Sequence, residues 1–187
     1  MPTFVAFLRG INVGGHIVVK EKLQEAFSSL GFGNISTYGQ SGNIIFETDG
    51  ANTEAIRNKI EGKLRKMLGY DVVVFVRAIS QLKKIIDLEP FRDKDKEGAS
   101  FLVSMLSREP LQFPLKMPLT IPNSTAQVIS ARDTEVFSVT HGGGEGGMPN
   151  PFLESKLKMK ATTRNINIII KIVDKYGKNV QNSRAPN

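Results

Sequence analysis

The apolar positions of the first 80 residues switch between strand-like runs and helix-like spacing. Residues 3–8 are apolar almost without interruption, so we expect a central strand that is covered on both faces. Apolar residues then recur every three or four positions in two stretches, which predicts two helices. The elements predicted in this way are strands at 3–8, 35–38, 44–48 and 71–76, a helix at 20–30, and a second helix that Asn52 or Thr53 caps and that ends at Gly69.

The order of these elements, β-α-β-β-α-β over residues 3–77, is that of a ferredoxin-like split βαβ unit. We expect an antiparallel sheet with strand order 4-1-3-2, in which the first two strands point the same way. The loop that leaves the first strand and the turn between the second and third strands then lie at one end of the sheet. The sequence therefore predicts an α+β fold in which these two loops converge.

A smaller α+β half is predicted to follow the charged run at 92–98. Its expected elements are a short helix before Pro90, strands at 101–106, 126–130 and 135–140, and helices at 151–157 and 163–176. We expect a ferredoxin-like unit with its linking helix over 1–90, the second half over 98–180, and a disordered tail over 181–187.

Composition narrows the class of protein. The chain has no cysteine, which excludes disulfides and cysteine nucleophiles, and no apolar run approaches the roughly 20 residues that span a bilayer. We expect a cytoplasmic protein with no membrane partner. The net charge is +7, and residues 151–187 hold eight basic and two acidic residues. Such a region can attract nucleic acid, a membrane surface or a phosphorylated small molecule, although many charged runs are only solvated helix faces.

Two glycine-rich polar turns, at 8–15 and 38–43, follow the strands that are predicted to converge. Closely spaced glycines let backbone N–H groups approach a ligand, and the polar side chains around them supply further donors. We therefore expect an anionic, phosphate-bearing small molecule to bind there. The predicted contacts are Arg9, Gly10, Asn12, Gly14, Gly15, Gln40, Ser41, Gly42 and Asn43. The alternative is that the glycines only permit tight turns.

A second group of candidate contacts opens the last predicted helix. The free N–H groups of a helix start and its positive dipole end favour an anion, and arginine adds a forked donor. The predicted contacts are Thr162, Thr163, Arg164 and Asn165. Simple capping of the helix by either threonine is the alternative.

The sequence does not identify a reaction or a cofactor. Gly10 and Gly15 have the spacing of a P-loop, but His16 and Ile17 stand where its lysine and hydroxyl residue belong. Two histidines make a histidine-based metal site improbable, and Ser41 has no base near it in sequence. The glycines of 142–147 lack the context of a dinucleotide-binding loop, so we expect a flexible loop there.

The segments 8–15, 37–46, 151–157 and 161–165 together resemble an uncharacterised bacterial family, catalogued as domain of unknown function 1697. The resemblance implies an α+β fold of ferredoxin-like construction and a small cytoplasmic protein, with no known activity. The chain departs from the family pattern at 142–148, where Gly-Gly-Gly-Glu-Gly-Gly-Met replaces a stretch that usually carries arginine and lysine. This departure puts any anion-binding role of that stretch in doubt.

Two other classes of function stay open at this point. A nucleic-acid-binding module would use the basic C-terminal helices, because Phe46 is the only aromatic of the third strand and no stacking platform is predicted. Its affinity would be weak and non-specific. A structural or interaction protein would use the turns only to determine its fold. The sequence does not give the oligomeric state.

Overall fold

The computed structural model describes residues 1–11, 17–39, 42–94, 97–110, 113, 116–141 and 148–177. The chain divides into two compact units, one made of Met1–Lys84 with Ile172–Asn187 and the other of Ile85–Lys171. The strands are β1 Thr3–Arg9, β2 Gly33–Tyr38, β3 Asn43–Glu47, β4 Val73–Ala78, β5 Ala99–Leu106, β6 Leu119–Thr120, β7 Ala126–Arg132, β8 Glu135–His141 and β9 Ala161–Asn165. The helices are α1 Lys20–Ser28, α2 Thr53–Leu68, α3 Ile79–Asp87, α4 Asn150–Leu157 and α5 Ile166–Tyr176.

The sheet of the first unit is antiparallel and has the order β2-β3-β1-β4. This confirms the predicted order 4-1-3-2 and the predicted mixed α+β fold. Phe4 to Leu8 are all buried, so β1 is covered on both faces, as its unbroken apolar run predicts. One of its faces packs against α1 and α2 through a core that includes Leu23, Phe27, Ile60 and Leu64.

Residues next to the helix α2 determine where it begins and ends. Asn52 caps its first turn, because the side-chain Oδ1 accepts hydrogen bonds from the amides of Glu54 and Ala55 at 3.0 Å each. Gly69 ends it with a left-handed φ of 80°, and its amide donates to the carbonyl of Arg65 at 2.9 Å. Both ends agree with the predicted bounds.

The second unit contains an antiparallel sheet of order β6-β7-β8-β5-β9. The strands β5, β7 and β8 agree with those predicted, whereas β6 and β9 were not predicted. The helix α4 covers one face of this sheet, where Leu153 and Leu157 pack against Leu106, Val136 and Ala161. Within the described residues, no helix is long and apolar enough to cross a membrane. The predicted loop at 142–147 and the predicted tail at 181–187 lie outside the described residues.

Candidate functional site

The two glycine-rich turns meet at one end of the first sheet, as predicted. The amide of Leu8 donates to the carbonyl of Gly42 at 2.8 Å. Phe7, one residue earlier on β1, lies opposite Asn43 at the start of β3. The end of β1 and the end of the β2–β3 turn are therefore joined directly by a backbone hydrogen bond. We call this region the paired turns, made of residues 8–15 and 38–43.

Gly42 is the residue that lets the two turns come so close. Its φ of +65° is unfavourable for other residues, and a Cβ there would lie 2.8 Å from Ile11 Cγ2 and 3.0 Å from Leu8 Cβ. Such distances are shorter than normal carbon contacts. The close approach therefore requires glycine at this position, which favours a structural role for Gly42 alongside any contact with a ligand.

Gly10 and Gly39 differ from Gly42 in their surroundings. Both have a left-handed φ, +82° and +67°, but a Cβ at either position would meet no atom of the described residues within 4 Å. Both residues are exposed, so their backbone is accessible at the end of the sheet. Arg9 is the last residue of β1, and it is half-buried and stands opposite Val73 of β4. A positive side chain and open glycine backbone thus occupy the same end of the sheet.

Asn43 is used inside the turn. It is 1% exposed, and its Nδ2 donates to the carbonyl of Tyr38 at 3.0 Å, across the base of the β2–β3 turn. This bond fixes the turn, and a contact between Asn43 and a ligand stays a prediction. The other candidate contacts of the paired turns, Asn12, Gly14, Gly15, Gln40 and Ser41, lie outside the described residues.

Of the candidate contacts at 162–165, Thr162, Thr163 and Arg164 do not open a helix, so the predicted helix start was wrong by about three residues. They form β9, which pairs with β5 in the register Val103↔Arg164 and Met105↔Thr162, and α5 begins only at Ile166. Consecutive threonines suit an edge strand because β-branched side chains favour extended backbone. The cap is Asn165, whose Oδ1 accepts the amide of Asn167 at 2.9 Å.

Arg164 is the most perturbed ionisable group of this strand. Burial lowers its pKa to about 10, because the charged form loses contact with water. At neutral pH the guanidinium still carries its charge. Its Nη1 donates to Thr162 Oγ1 and to the carbonyl of Thr163, both at 2.9 Å. Both of these bonds lie within β9, and they stabilise the edge of the sheet.

The first unit also has a polar cavity of about 410 Å³ between α2 and the beginning of β4, which was not predicted. Its wall includes Glu61, Arg65, Asp71 and Val73, and Val73 is the residue opposite Arg9. Arg65 forms an ion pair with Asp71, and this hydrogen bond and charge raise the arginine pKa. Because two carboxylates balance the arginine, the cavity itself is not an anion site.

A sequence signal for this cavity exists. Its α2 residues are spaced three, four and seven positions apart, so they form the polar face of an amphipathic helix. Such a face is normally exposed, and only the loop at 69–72 turns it into the wall of a cavity. Among the described residues, no group of three or more histidine, aspartate or glutamate side chains could hold a metal ion.

We compared the chain with known protein families and with curated proteins. The family described as "Protein of unknown function (DUF1697)" matches residues 1–137, and the chain belongs to this family. This confirms the resemblance in the glycine-rich turns. No curated protein matches the chain.

Among solved structures, the conserved bacterial protein SP0830 from Streptococcus pneumoniae is similar, with a TM-score of 0.64 and 18% sequence identity. The match covers 95% of this chain and 99% of that protein. At this identity, the likeness shows the shared fold alone.

Proposed function

We propose that the chain binds a small molecule that carries a phosphate or another compact anionic group, at the paired turns of a ferredoxin-like first unit. The observation that carries the proposal is the 2.8 Å hydrogen bond from the amide of Leu8 to the carbonyl of Gly42, which joins the two turns. It holds two glycine-containing segments and Arg9 at a single end of the sheet.

The chemistry of the paired turns suits an anion better than a neutral ligand. A guanidinium presents several N–H donors in one plane, and it binds two oxygens of a phosphate or carboxylate at once. Gly10 and Gly39 have left-handed backbone and are exposed, and no atom of the described residues lies near the missing Cβ, so we expect a ligand to reach their peptide groups. The proposed site therefore combines one fixed charge with accessible backbone donors.

Residues 162–165 are not part of this proposal. Their predicted role rested on a helix start, and they lie instead on β9. The proposal also does not include a reaction, because the described residues of the paired turns contain no histidine or carboxylate to transfer a proton. Binding is the function that the geometry supports.

A thermal-shift screen of pyrophosphate, nucleotides and phosphosugars tests the proposal. We expect at least one of these compounds to raise the melting temperature of the wild-type chain, since a ligand that binds only the folded state stabilises it. The same compound is then titrated against Arg9→Ala by calorimetry. Loss of the guanidinium should weaken binding at least about tenfold, the amount expected for one charge-assisted contact.

Arg57→Ala is the matched control. Arg57 is also a partly buried arginine of the first unit, but it lies on α2 and pairs with Glu54 at 3.2 Å. Its removal changes the net charge by the same amount and should leave binding unchanged. If Arg9→Ala instead lowers stability strongly and no compound shifts the wild-type melting temperature, the turns are structural and the proposal is wrong.

The nucleic-acid alternative gains no support from the first sheet. Phe46, the aromatic of β3, is fully buried, and its ring lies 4.6 Å from that of Phe32 and 5.9 Å from that of Phe4. It cannot stack on a base without disrupting the core. Contacts by the basic residues of α4 and α5 stay a prediction.

A further inference from the structure

The exposed edge of β4 is covered by side chains of its own unit. The amide of Val74, which points away from β1, donates to Glu61 Oε1 at 2.9 Å. The amide of Ala78 donates in the same way to Gln81 Oε1 at 2.8 Å. An edge strand whose backbone groups are already bonded cannot pair with another strand.

Arginine side chains cover the outward carbonyls of two edge strands. On β4, Arg77 Nη1 donates to the carbonyl of the preceding Val76 at 3.0 Å. On β9, the edge strand of the second sheet, Arg164 Nη1 donates to the carbonyl of the preceding Thr163 at 2.9 Å. The same device therefore protects one edge of each sheet. The other edge of the second sheet, β6, has only two residues.

The remaining edge is β2, and the ladder shows which of its groups face outward. Because the Gly42 carbonyl bonds to Leu8 of β1, alternation along β3 directs the backbone groups of Asn43 and Ile45 toward β2. Their partners are Tyr38 and Ser36. Thr37, between these partners, therefore presents its groups away from the sheet, and so does the carbonyl just before the Ser36 amide, whereas a register shift between Gly33 and Ser36 breaks the alternation further back.

Two residues carry the outward groups of β2. The carbonyl of Ile35 and both the amide and the carbonyl of Thr37 point outward, since the neighbouring Ser36 and Tyr38 bond to β3. Neither Ile35 nor Thr37 has a side-chain or loop hydrogen bond to these groups within the part of the chain that the structure describes. In contrast to β4 and β9, this edge is not covered by hydrogen bonds from any of the described residues.

We propose that β2 pairs with β2 of a second copy of this chain, antiparallel and related by a twofold axis at Ser36. In this register the Thr37 amide of each copy donates to the Ile35 carbonyl of the other. The two four-stranded sheets join into one continuous sheet. A twofold contact is self-complementary, which is the usual geometry of a homodimer.

Two features of β2 favour a second copy as its partner. The strand, Gly33–Tyr38, has no charged residue, so two identical strands meet without repulsion although the chain carries a net charge of +7. In addition, the side chain of Ser36 is small, so two copies of it fit side by side at the axis. There the two Ser36 residues form a close pair, about 4.5 Å between Cα atoms.

The expected dimer is weak. Pairing along one six-residue strand buries far less than the roughly 1,200 Å² of a stable interface, so we expect dissociation in the micromolar range or above. Sedimentation velocity over a wide range of concentrations measures this directly. The wild-type chain should shift from the mass of one copy toward that of two as the concentration rises.

Thr37→Pro and Thr37→Val form the first pair of variants. Proline removes the outward amide of Thr37 without removing a bond of the sheet, and edge strands accept proline at such positions. Valine keeps the amide and has a similar shape. We expect Thr37→Pro to stay a monomer at all concentrations and Thr37→Val to associate like the wild type, with both variants folded by circular dichroism.

Ser36→Cys and Asn34→Cys form the second pair, and they decide the outcome if Thr37→Pro does not fold. The chain has no cysteine of its own, so each variant has a single thiol. At the axis, Cα atoms about 4.5 Å apart are within the range of a disulfide. The two copies of residue 34 would be about 14 Å apart, four residues along the strands.

We expect Ser36→Cys to form a covalent dimer under mild oxidation and Asn34→Cys to form little or none. Equal crosslinking of both variants would show random collision and would overturn the proposal. A wild-type chain that stays a monomer at every concentration would also overturn it, and an extended peptide would then be the alternative occupant of this edge. A dimer that persists in folded Thr37→Pro would place the interface elsewhere.

Discussion

Ser104 Oγ and Thr163 Oγ1 lie 2.7 Å apart across β5 and β9, in the buried interior of the second unit. Thr163 uses its hydroxyl proton to donate to Asn150 Oδ1, at the first turn of α4. A hydroxyl has only one proton, so Ser104 must be the donor to Thr163. The two hydrogen bonds, from Ser104 to Thr163 and from Thr163 to Asn150, therefore link β5 and β9 to the helix that covers them.

Thr163→Val should destabilise the fold. The substitution keeps the shape of the side chain but leaves the Ser104 hydroxyl and the Asn150 oxygen without their partner. Because the site is buried, we expect a loss of about 1–3 kcal/mol in the free energy of unfolding, measured by urea denaturation.

The double substitution Ser104→Ala with Thr163→Val is the control for this prediction. Removing both partners takes away the unpaired serine hydroxyl, so the double variant should lose less stability than the sum of the two single variants. Strict additivity would show that the two hydroxyls do not interact.

Gly42→Ala should destabilise the first unit by about 2–4 kcal/mol. Part of this loss comes from the φ of +65°, and part from the new Cβ, 2.8 Å from Ile11 Cγ2. Gly39→Ala has nearly the same φ, +67°, but no atom of the described part of the chain lies within 4 Å of its Cβ. It should lose only about 1 kcal/mol. If urea denaturation gives equal losses in the free energy of unfolding for the two variants, the close contact at Gly42 does not add to the cost of the substitution.

Glu61 offers a test of the covered edge of β4. Its Oε1 accepts the amide of Val74, so Glu61→Gln keeps an acceptor while Glu61→Ala removes it. We expect Glu61→Gln to retain nearly all of the stability and Glu61→Ala to lose about 0.5–1.5 kcal/mol. Hydrogen exchange of the Val74 amide should be faster only in Glu61→Ala. If both variants exchange alike, the carboxylate does not protect this edge.

The first unit was predictable because its signals are local. The unbroken apolar run before Arg9, the caps at Asn52 and Gly69, and the turn that ends at Gly42 all fix elements within a few residues of themselves. Strand order then followed from the known constraints on connections. The meeting of the two turns was a consequence of that order, and the Leu8–Gly42 bond confirms it.

The second unit was less predictable, for a physical reason. Thr162 and Thr163 fit both a helix cap and an edge strand, and the choice is made by pairing with β5, nearly 60 residues earlier in the chain. The local pattern of residues around Thr162 and Thr163 does not show that β5 is available to pair with them. The two-residue strand β6 depends in the same way on β7. The cavity beside Glu61 also needs a loop to close over a helix face that looks like an ordinary solvated one.

Any affinity for nucleic acid should be weak and strongly dependent on salt. The exposed lysines of α5 can contact phosphates, but Phe46 is buried and gives no stacking surface. Fluorescence anisotropy with labelled oligonucleotides at two salt concentrations measures both properties. Lys175→Gln on α5 should reduce the slope of log affinity against log salt concentration by about one, the change expected for the loss of one phosphate contact. Lys66→Gln on α2 should leave this slope unchanged. Sequence-specific binding that tolerates salt would contradict this prediction, because it would require base contacts by residues other than these lysines.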